Sequence, residues 1–188
     1  GAEFDLSIED IAIEYIGAIA ESVEFPVAES PIIDNIPIGF TDILLEEFNL
    51  EIDLFNEIGI PVDISIVLEG ESVNDNENIS VSIEDTEIAY PYSINNHGCS
   101  FSNIRDTART LIKLDDDSKL IEYYCNVTGD ITYIEPFDTS IYIVDDTQST
   151  ILDLINAAPE KINVSASAKV EGEGIIYKGA EIWGNANL

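Results

Sequence analysis

Residues 50–68 read LEIDLFNEIGIPVDISIVL, and this stretch decides the fold class. On both sides of a break at residues 56–59, apolar side chains alternate with polar ones, and the apolar set is Leu50, Ile52, Leu54, Ile60, Val62, Ile64, Ile66 and Leu68. A period of two places alternate side chains on opposite faces of a β-strand. The stretch therefore predicts two strands, or one long strand with a bulge at the break. Pro61 lacks a backbone donor, which places it at a sheet edge or at the start of a strand.

The same alternation recurs elsewhere in the chain. It is clear at residues 79–83 and 162–170, and shorter strand-like runs lie at 120–127, 131–134 and 140–144. The segment Leu6–Ile19 fits both a helical face and a strand, and we expect a strand because it is rich in isoleucine. Together these patterns predict a mainly β protein, an antiparallel β-sandwich of the jelly-roll or Ig-like type with one or two short helices.

Two segments carry helix signals. Thr147–Asn156 has Ser149 or Thr150 as a possible N-cap, an acidic residue in the first turn and Pro159 as a stop. A second short helix is expected at Thr41–Phe48, where a capping residue precedes an apolar run.

Length favours one domain. A chain of 188 residues suffices for a single full core, although two small sandwiches would also fit. We expect a single domain over residues 1–188, with β-prone terminal arms at 1–20 and 174–188. Each arm either closes a sheet of its own chain or adds a strand to a neighbouring subunit.

Charge limits the range of partners. The chain has 7 Lys and Arg against 38 Asp and Glu, for a net charge of -31. Such a surface repels phosphate backbones and anionic lipids, so we expect no nucleic-acid partner. No run of about 18 apolar residues is present, so we expect no membrane insertion. The self-repulsion requires screening, and both a high-salt medium and bound divalent cations fit.

Cysteines and sequons bear on location. Cys99 and Cys125 are the two cysteines, and their even number favours a disulfide over two buried thiols. Three Asn-x-Ser/Thr sequons give Asn78, Asn126 and Asn163 as glycosylation candidates. These features favour an extracellular or cell-surface location, with the sequons as the weaker support.

Calcium is the expected ion. Asp75 and Glu77 lie in an oxygen-rich run at residues 74–78, and Asp115, Asp116 and Asp117 are consecutive in an expected turn. Carboxylate and amide oxygens are the ligands that Ca²⁺ prefers. Neither cluster has the spacing of an EF-hand, and solvated acidic loops are the alternative for both.

No enzyme motif is recognisable. The chain has one histidine, His97, and it contains neither a Gly-x-Ser-x-Gly elbow nor a phosphate-binding loop. A pair of carboxylates is enough for glycoside hydrolysis, but 38 acidic residues single out no pair. We therefore expect a protein that is not an enzyme.

These observations predict a non-enzymatic extracellular structural subunit. It would self-assemble into a surface layer or filament through β-strand pairing, as a homo-oligomer or polymer stabilised by Ca²⁺. The alternative is a secreted binding module for an apolar ligand or a carbohydrate.

Overall fold

The computed structural model describes residues 15–26, 32–34, 44–71, 79–91, 98–99, 107–125, 135–144, 148–159 and 161–187. Within these ranges the protein is mainly β, with two antiparallel sheets, a minor two-stranded pair and one short helix. The predicted fold class is confirmed.

The larger sheets have five strands each. Sheet A contains, in spatial order, β1 (Tyr15–Pro26), β11 (Lys161–Tyr177), β4 (Val62–Glu71) and β5 (Ile79–Glu87), and β2 (Ile32–Asp34) also pairs with β11. Sheet B contains, in order, β10 (Asp138–Ile143), β9 (Ser118–Tyr124), β8 (Ala108–Leu114), β3 (Leu50–Asn56) and β12 (Ile182–Asn187). The remaining strands are β6 (Tyr90–Pro91) and β7 (Gly98–Cys99), which pair in parallel.

Residues 50–68 form two strands in different sheets. β3 belongs to sheet B and β4 to sheet A, so the break between them is a crossing from one sheet to the other. Pro61 directly precedes β4, which lies inside sheet A, so its predicted place at a strand start is confirmed. Gly59 exchanges two backbone hydrogen bonds with Ile175 of β11, at 3.0 and 3.1 Å. A Cβ at Gly59 would lie 2.6 Å from the Ile175 carbonyl oxygen, so this close approach requires glycine.

One core cluster includes buried side chains of both sheets. Sheet A contributes Val62, Ile64, Leu68, Val81, Ile83 and Ile162. Sheet B contributes Leu50, Ile52, Ala108, Ile112, Leu114, Ile121 and Tyr123. These are the alternating apolar positions of the strands, and their shared cluster is consistent with a β-sandwich.

Helix α1 (Ile151–Asn156) packs on this core through Ile151 and Leu154. Thr150 is its N-cap: the Thr150 hydroxyl accepts from the Asp153 N–H at 3.1 Å, and the Asp153 carboxylate accepts from the Thr150 N–H at 2.9 Å. This capping box confirms Thr150 as the start. Residues 148–149 precede the helix, which is therefore shorter than predicted.

The second predicted helix, at Thr41–Phe48, is wrong over the part of it that the structure describes. Residues 44–48 have no helical conformation. The Leu45 N–H donates to Asn156 Oδ1 at 2.8 Å, and Asn156 Nδ2 donates to the Leu45 carbonyl at 3.1 Å. A distant side chain thus satisfies both backbone groups of Leu45, in place of a helical turn.

Both terminal arms, where they are described, pair within the chain. Tyr15–Ile19 belongs to β1, as the expected strand requires, and residues 6–14 lie outside the described ranges. The second arm contributes the end of β11, which pairs with β1, and β12, which pairs with β3. No helix in the described ranges has the length and apolarity to cross a bilayer.

Candidate functional site

The edge strands of sheet A are irregular and acidic. β1 has a bulge between Ala20 and Val23, and Ser22 within it has φ +40°. β5 has a bulge where its register with β4 shifts, and Asp85 there has φ +42°. Five carboxylates lie on these strands: Glu21, Glu24, Glu84, Asp85 and Glu87. Bulges and charges are the usual devices that keep an open edge from pairing with another chain.

The edge strands of sheet B lack these devices. β10 and β12 pair with their inner neighbours in unbroken register. Residues 139–143 and 182–187 contain no charged side chain, although 24% of the chain is charged. Among the residues that the structure describes, sheet B therefore ends on both sides in a regular strand, and Asp138, the first residue of β10, is the one charged residue of these two strands.

β10 also exposes large apolar side chains. Ile141 is 68% and Ile143 is 83% exposed. Ile141 lies opposite Leu120, whereas Ser140 lies opposite Ile121, which is in the core. The two isoleucines thus lie on the outer face of sheet B, beside an edge with which no strand of the described residues pairs.

β12, at the other edge, carries the chain's one tryptophan. The Trp183 ring stacks on Phe55 of β3 with centroids 5.4 Å apart and planes within 11°. Trp183 is still 41% exposed. Ile182 packs against the core cluster and the rest of β12 is small or polar, so Ile182 and this stack are the side-chain anchors that we identify for the strand.

Ion pairs occupy the outer face between the two edges. Arg109 Nε donates to Asp53 Oδ1 at 2.6 Å, and the guanidinium lies 4.8 Å from the centroid of the Tyr124 ring. Burial, together with a hydrogen bond to Glu122, raises the pKa of Tyr124 to about 12. Because Arg109 is buried, its charge needs a partner, and the Asp53 carboxylate in the same sheet is that partner.

The predicted calcium ligands of the acidic turn lie between β8 and β9. The Asp115 carboxylate accepts hydrogen bonds from the Ser118 N–H at 2.7 Å and from the Ser118 hydroxyl at 2.9 Å. Asp115, Asp116 and Asp117 line a cavity of about 270 Å³ with Glu47 and Asn49. Among the residues that the structure describes, no group of three or more His, Cys, Asp or Glu is arranged to hold a metal ion. Asp75 and Glu77 lie outside those residues, and calcium binding stays a prediction.

The structure describes only part of the predicted covalent sites. Cys125 directly follows β9 and is not a free thiol. The side chain of Cys99 lies outside the description, so the pairing of the two cysteines stays a prediction. Asn163 lies on β11 and donates a 2.6 Å hydrogen bond to Glu71. Asn78 and Asn126 are not described.

A polar groove lies where β5 of sheet A faces β9 and β10 of sheet B. Its volume is about 530 Å³, and the N-terminal end of α1 closes one side. Lys119 of β9 and Tyr142 of β10 lie opposite each other on its wall, with the Lys119 ammonium 4.7 Å from the centroid of the Tyr142 ring. Sequence reasoning missed this groove because its walls come from strands far apart in the chain.

Strand β8 was also missed, and its central place explains why. Six of its seven residues are buried, so both faces are covered and the polar–apolar alternation is lost. The short apolar run at residues 111–114, directly before the acidic turn, was the available signal.

Neither a family model nor a curated protein sequence matches this chain.

Proposed function

We propose that this protein is a non-enzymatic structural subunit that assembles with copies of itself by strand pairing at the edges of sheet B. The observation that carries the proposal is the contrast in charge and regularity between the two sheets. In an acidic chain, the two edges of sheet B are regular and free of charge over residues 139–143 and 182–187.

The physical driving force has two parts. An open edge presents a row of backbone N–H and C=O groups, which a strand of a second copy would satisfy. Pairing at β10 would also cover Ile141 and Ile143, and full burial of one such side chain contributes about 1.5–3 kcal/mol. Both contributions act in the same direction at this edge.

The order of the strands favours an open polymer. β10 and β12 are at opposite ends of a five-stranded antiparallel sheet, so they run in the same direction. Antiparallel pairing of like edges, β10 with β10 and β12 with β12, would place a two-fold axis at each interface. Two such interfaces on one subunit generate a chain of subunits without closure, as in a filament or a layer.

Charge sets the conditions of assembly in this proposal. A subunit with net charge -31 repels its copies, so assembly needs screening by salt or by Ca²⁺ that bridges carboxylates of neighbouring subunits. The sequons and the predicted disulfide support an extracellular or cell-surface setting, where calcium is available.

Light scattering with negative-stain microscopy tests the proposal. The wild type is compared at low and high salt, with and without Ca²⁺, and ordered polymers are expected once charge is screened. If polymers grow in high salt but not with Ca²⁺, calcium has no role in assembly and edge pairing remains supported. A monomer under every condition would overturn the proposal.

A matched pair of variants tests the edge. Ile143→Lys on β10 and Ile19→Lys on β1 place the same charge at positions that are 83% and 73% exposed. Ile143→Lys is expected to raise the concentration needed for assembly by roughly 10–100-fold, because it loses the burial of one isoleucine. Ile19→Lys should assemble as the wild type does. Equal effects of both variants would refute the role of sheet B.

A further inference from the structure

Half of the residues that line the groove between β5 and the β9–β10 pair carry a hydroxyl or an amide group, and the others include Asp115 and five apolar residues. Ser80 and Ser82 come from β5, Ser118 from β9, and Gln148 and Thr150 from the residues before α1. Hydroxyl and amide groups can both donate and accept hydrogen bonds, and these residues line a volume of about 530 Å³, in which the Ser118 hydroxyl donates to Asp115 and the Thr150 hydroxyl to Asp153. A wall of this chemistry does not suit an apolar ligand.

Lys119 gives the groove a second, independent feature. Four other cations have a carboxylate within 4.0 Å: Arg109, Lys113, Lys161 and Lys169. In the described ranges no carboxylate comes that close to Lys119, although the chain has 38 acidic residues. Its ammonium lies over the Tyr142 ring instead, and burial lowers its pKa against the opposing effect of Glu84. The Lys119 ammonium is therefore a hydrogen-bond donor in the groove that forms no ion pair with a carboxylate of the described ranges.

We propose that this groove is a binding site for a neutral saccharide. A sugar presents hydroxyl groups in many directions, which Ser80 and Ser82 of β5 would bind, and a C–H face that packs on an aromatic ring. Tyr142 is 50% exposed and supplies that ring, while Lys119 donates to ring or hydroxyl oxygens. Glu84 and the net charge of -31 would repel the carboxylate of a uronic acid, which favours a neutral sugar.

The assembly edge has a position outside the groove. Tyr142 lies opposite Lys119, on the groove side of β10, and Ile143 also lines the groove, whereas Ile141 lies on the outer face and does not line it. Ile141→Lys should therefore weaken assembly and keep saccharide binding. The two proposals can fail independently of each other.

The first experiment is an array of neutral oligosaccharides of hexoses and N-acetylhexosamines, with uronic acid oligomers beside them, followed by calorimetric titration of the best neutral binder. A neutral oligosaccharide is expected to bind, and the uronic acid oligomers are expected to bind more weakly. Absence of any neutral binder, or preference for the uronic acids, would overturn the proposal.

Variants then test where on the protein the oligosaccharide binds. Lys119→Gln and Tyr142→Leu should each weaken binding by at least about tenfold, the loss of one charge-assisted hydrogen bond or one ring contact. Lys178→Gln, the same substitution in the exposed turn after β11, is the matched control and should bind as the wild type does. Thermal unfolding shows whether each variant is folded. If Lys119→Gln and Tyr142→Leu are folded and bind the oligosaccharide as the wild type does, it binds elsewhere and the groove is not the binding site.

Discussion

The two sheets of this protein end in opposite ways. Sheet A ends in strands that carry bulges and carboxylates, whereas sheet B ends in β10 and β12, which are regular and almost free of charge. Bulges and charges prevent unwanted pairing, and the chain applies them to one sheet only. This difference is the basis of our proposal that the edges of sheet B pair with a partner strand.

The ion pairs of the two sheets also differ, in how far they are exposed to water. Arg109 and Asp53 in sheet B have side chains that are 9% and 16% exposed, whereas Lys169 and Glu171 in sheet A are 42% and 55% exposed. A pair shielded from water loses much more when one partner is removed than an exposed pair does. Sheet B is thus braced across its outer face, and sheet A is not braced by its surface ion pairs.

The largest effect is expected at Arg109. Arg109→Ala would leave Asp53 without its partner and should lower the free energy of unfolding by about 3 kcal/mol. Lys169→Ala, the comparison in sheet A, should lower the stability far less, because water screens its exposed pair with Glu171. Denaturant unfolding of both variants measures the difference. Similar losses in the two variants would contradict the contrast between the sheets.

The next effect concerns the number of open edges. Ile143→Lys weakens pairing at β10, and Ala186→Lys, at an exposed position, weakens pairing at β12. At concentrations at which the weakened edge does not pair, either single variant should stop growth at dimers that pair through the remaining edge, and the double variant should be a monomer. Sedimentation velocity in screening salt distinguishes the three species. Long polymers from the double variant would show that another surface carries assembly.

A smaller effect is expected from the aromatic stack of β12. Trp183→Ala removes the ring that stacks on Phe55 and should destabilise the monomer by about 1 kcal/mol. Circular dichroism is the appropriate probe, because the variant has no tryptophan fluorescence. Unchanged stability would mean that backbone pairing and the packing of Ile182 hold β12 without the stack.

The smallest effect tests whether the acidic edge of sheet A costs stability. Burial raises the pKa of Asp63; Lys169 opposes this shift, whereas Asp85 and Glu171 add to it. A raised carboxyl pKa stabilises the fold below the unfolded pKa of 3.8, and that contribution is lost as pH rises through the folded pKa. Asp63→Asn should therefore be more stable than the wild type at neutral pH, by less than about 1 kcal/mol. The gain should vanish at low pH, and a pH-independent gain would contradict the assignment.

Local patterns predicted the elements of the fold well. The alternation over residues 50–68 gave β3 and β4, and Thr150 gave the start of α1. The failures have tertiary causes. The segment at 44–48 is not helical where Asn156 binds the backbone of Leu45, and β8 lost its alternation because it is covered on both faces.

The candidate sites were less predictable. The absence of charge at 139–143 and 182–187 is visible in the sequence, but nothing local shows that these residues form edge strands. The acidic turn at Asp115–Asp117 was found as a turn, while the use of the Asp115 carboxylate to bind Ser118 appears only in three dimensions.

The sequence by itself determined that this chain is acidic, mainly β and marked by a capped helix, because side-chain alternation and capping act between residues close in sequence. Only the tertiary structure decided that β3 and β4 belong to different sheets, that β10 and β12 are edges, and that Lys119 meets Tyr142 beside Ser82. A period of two fixes the face on which a side chain lies, but the neighbour of each strand is chosen by packing between distant segments.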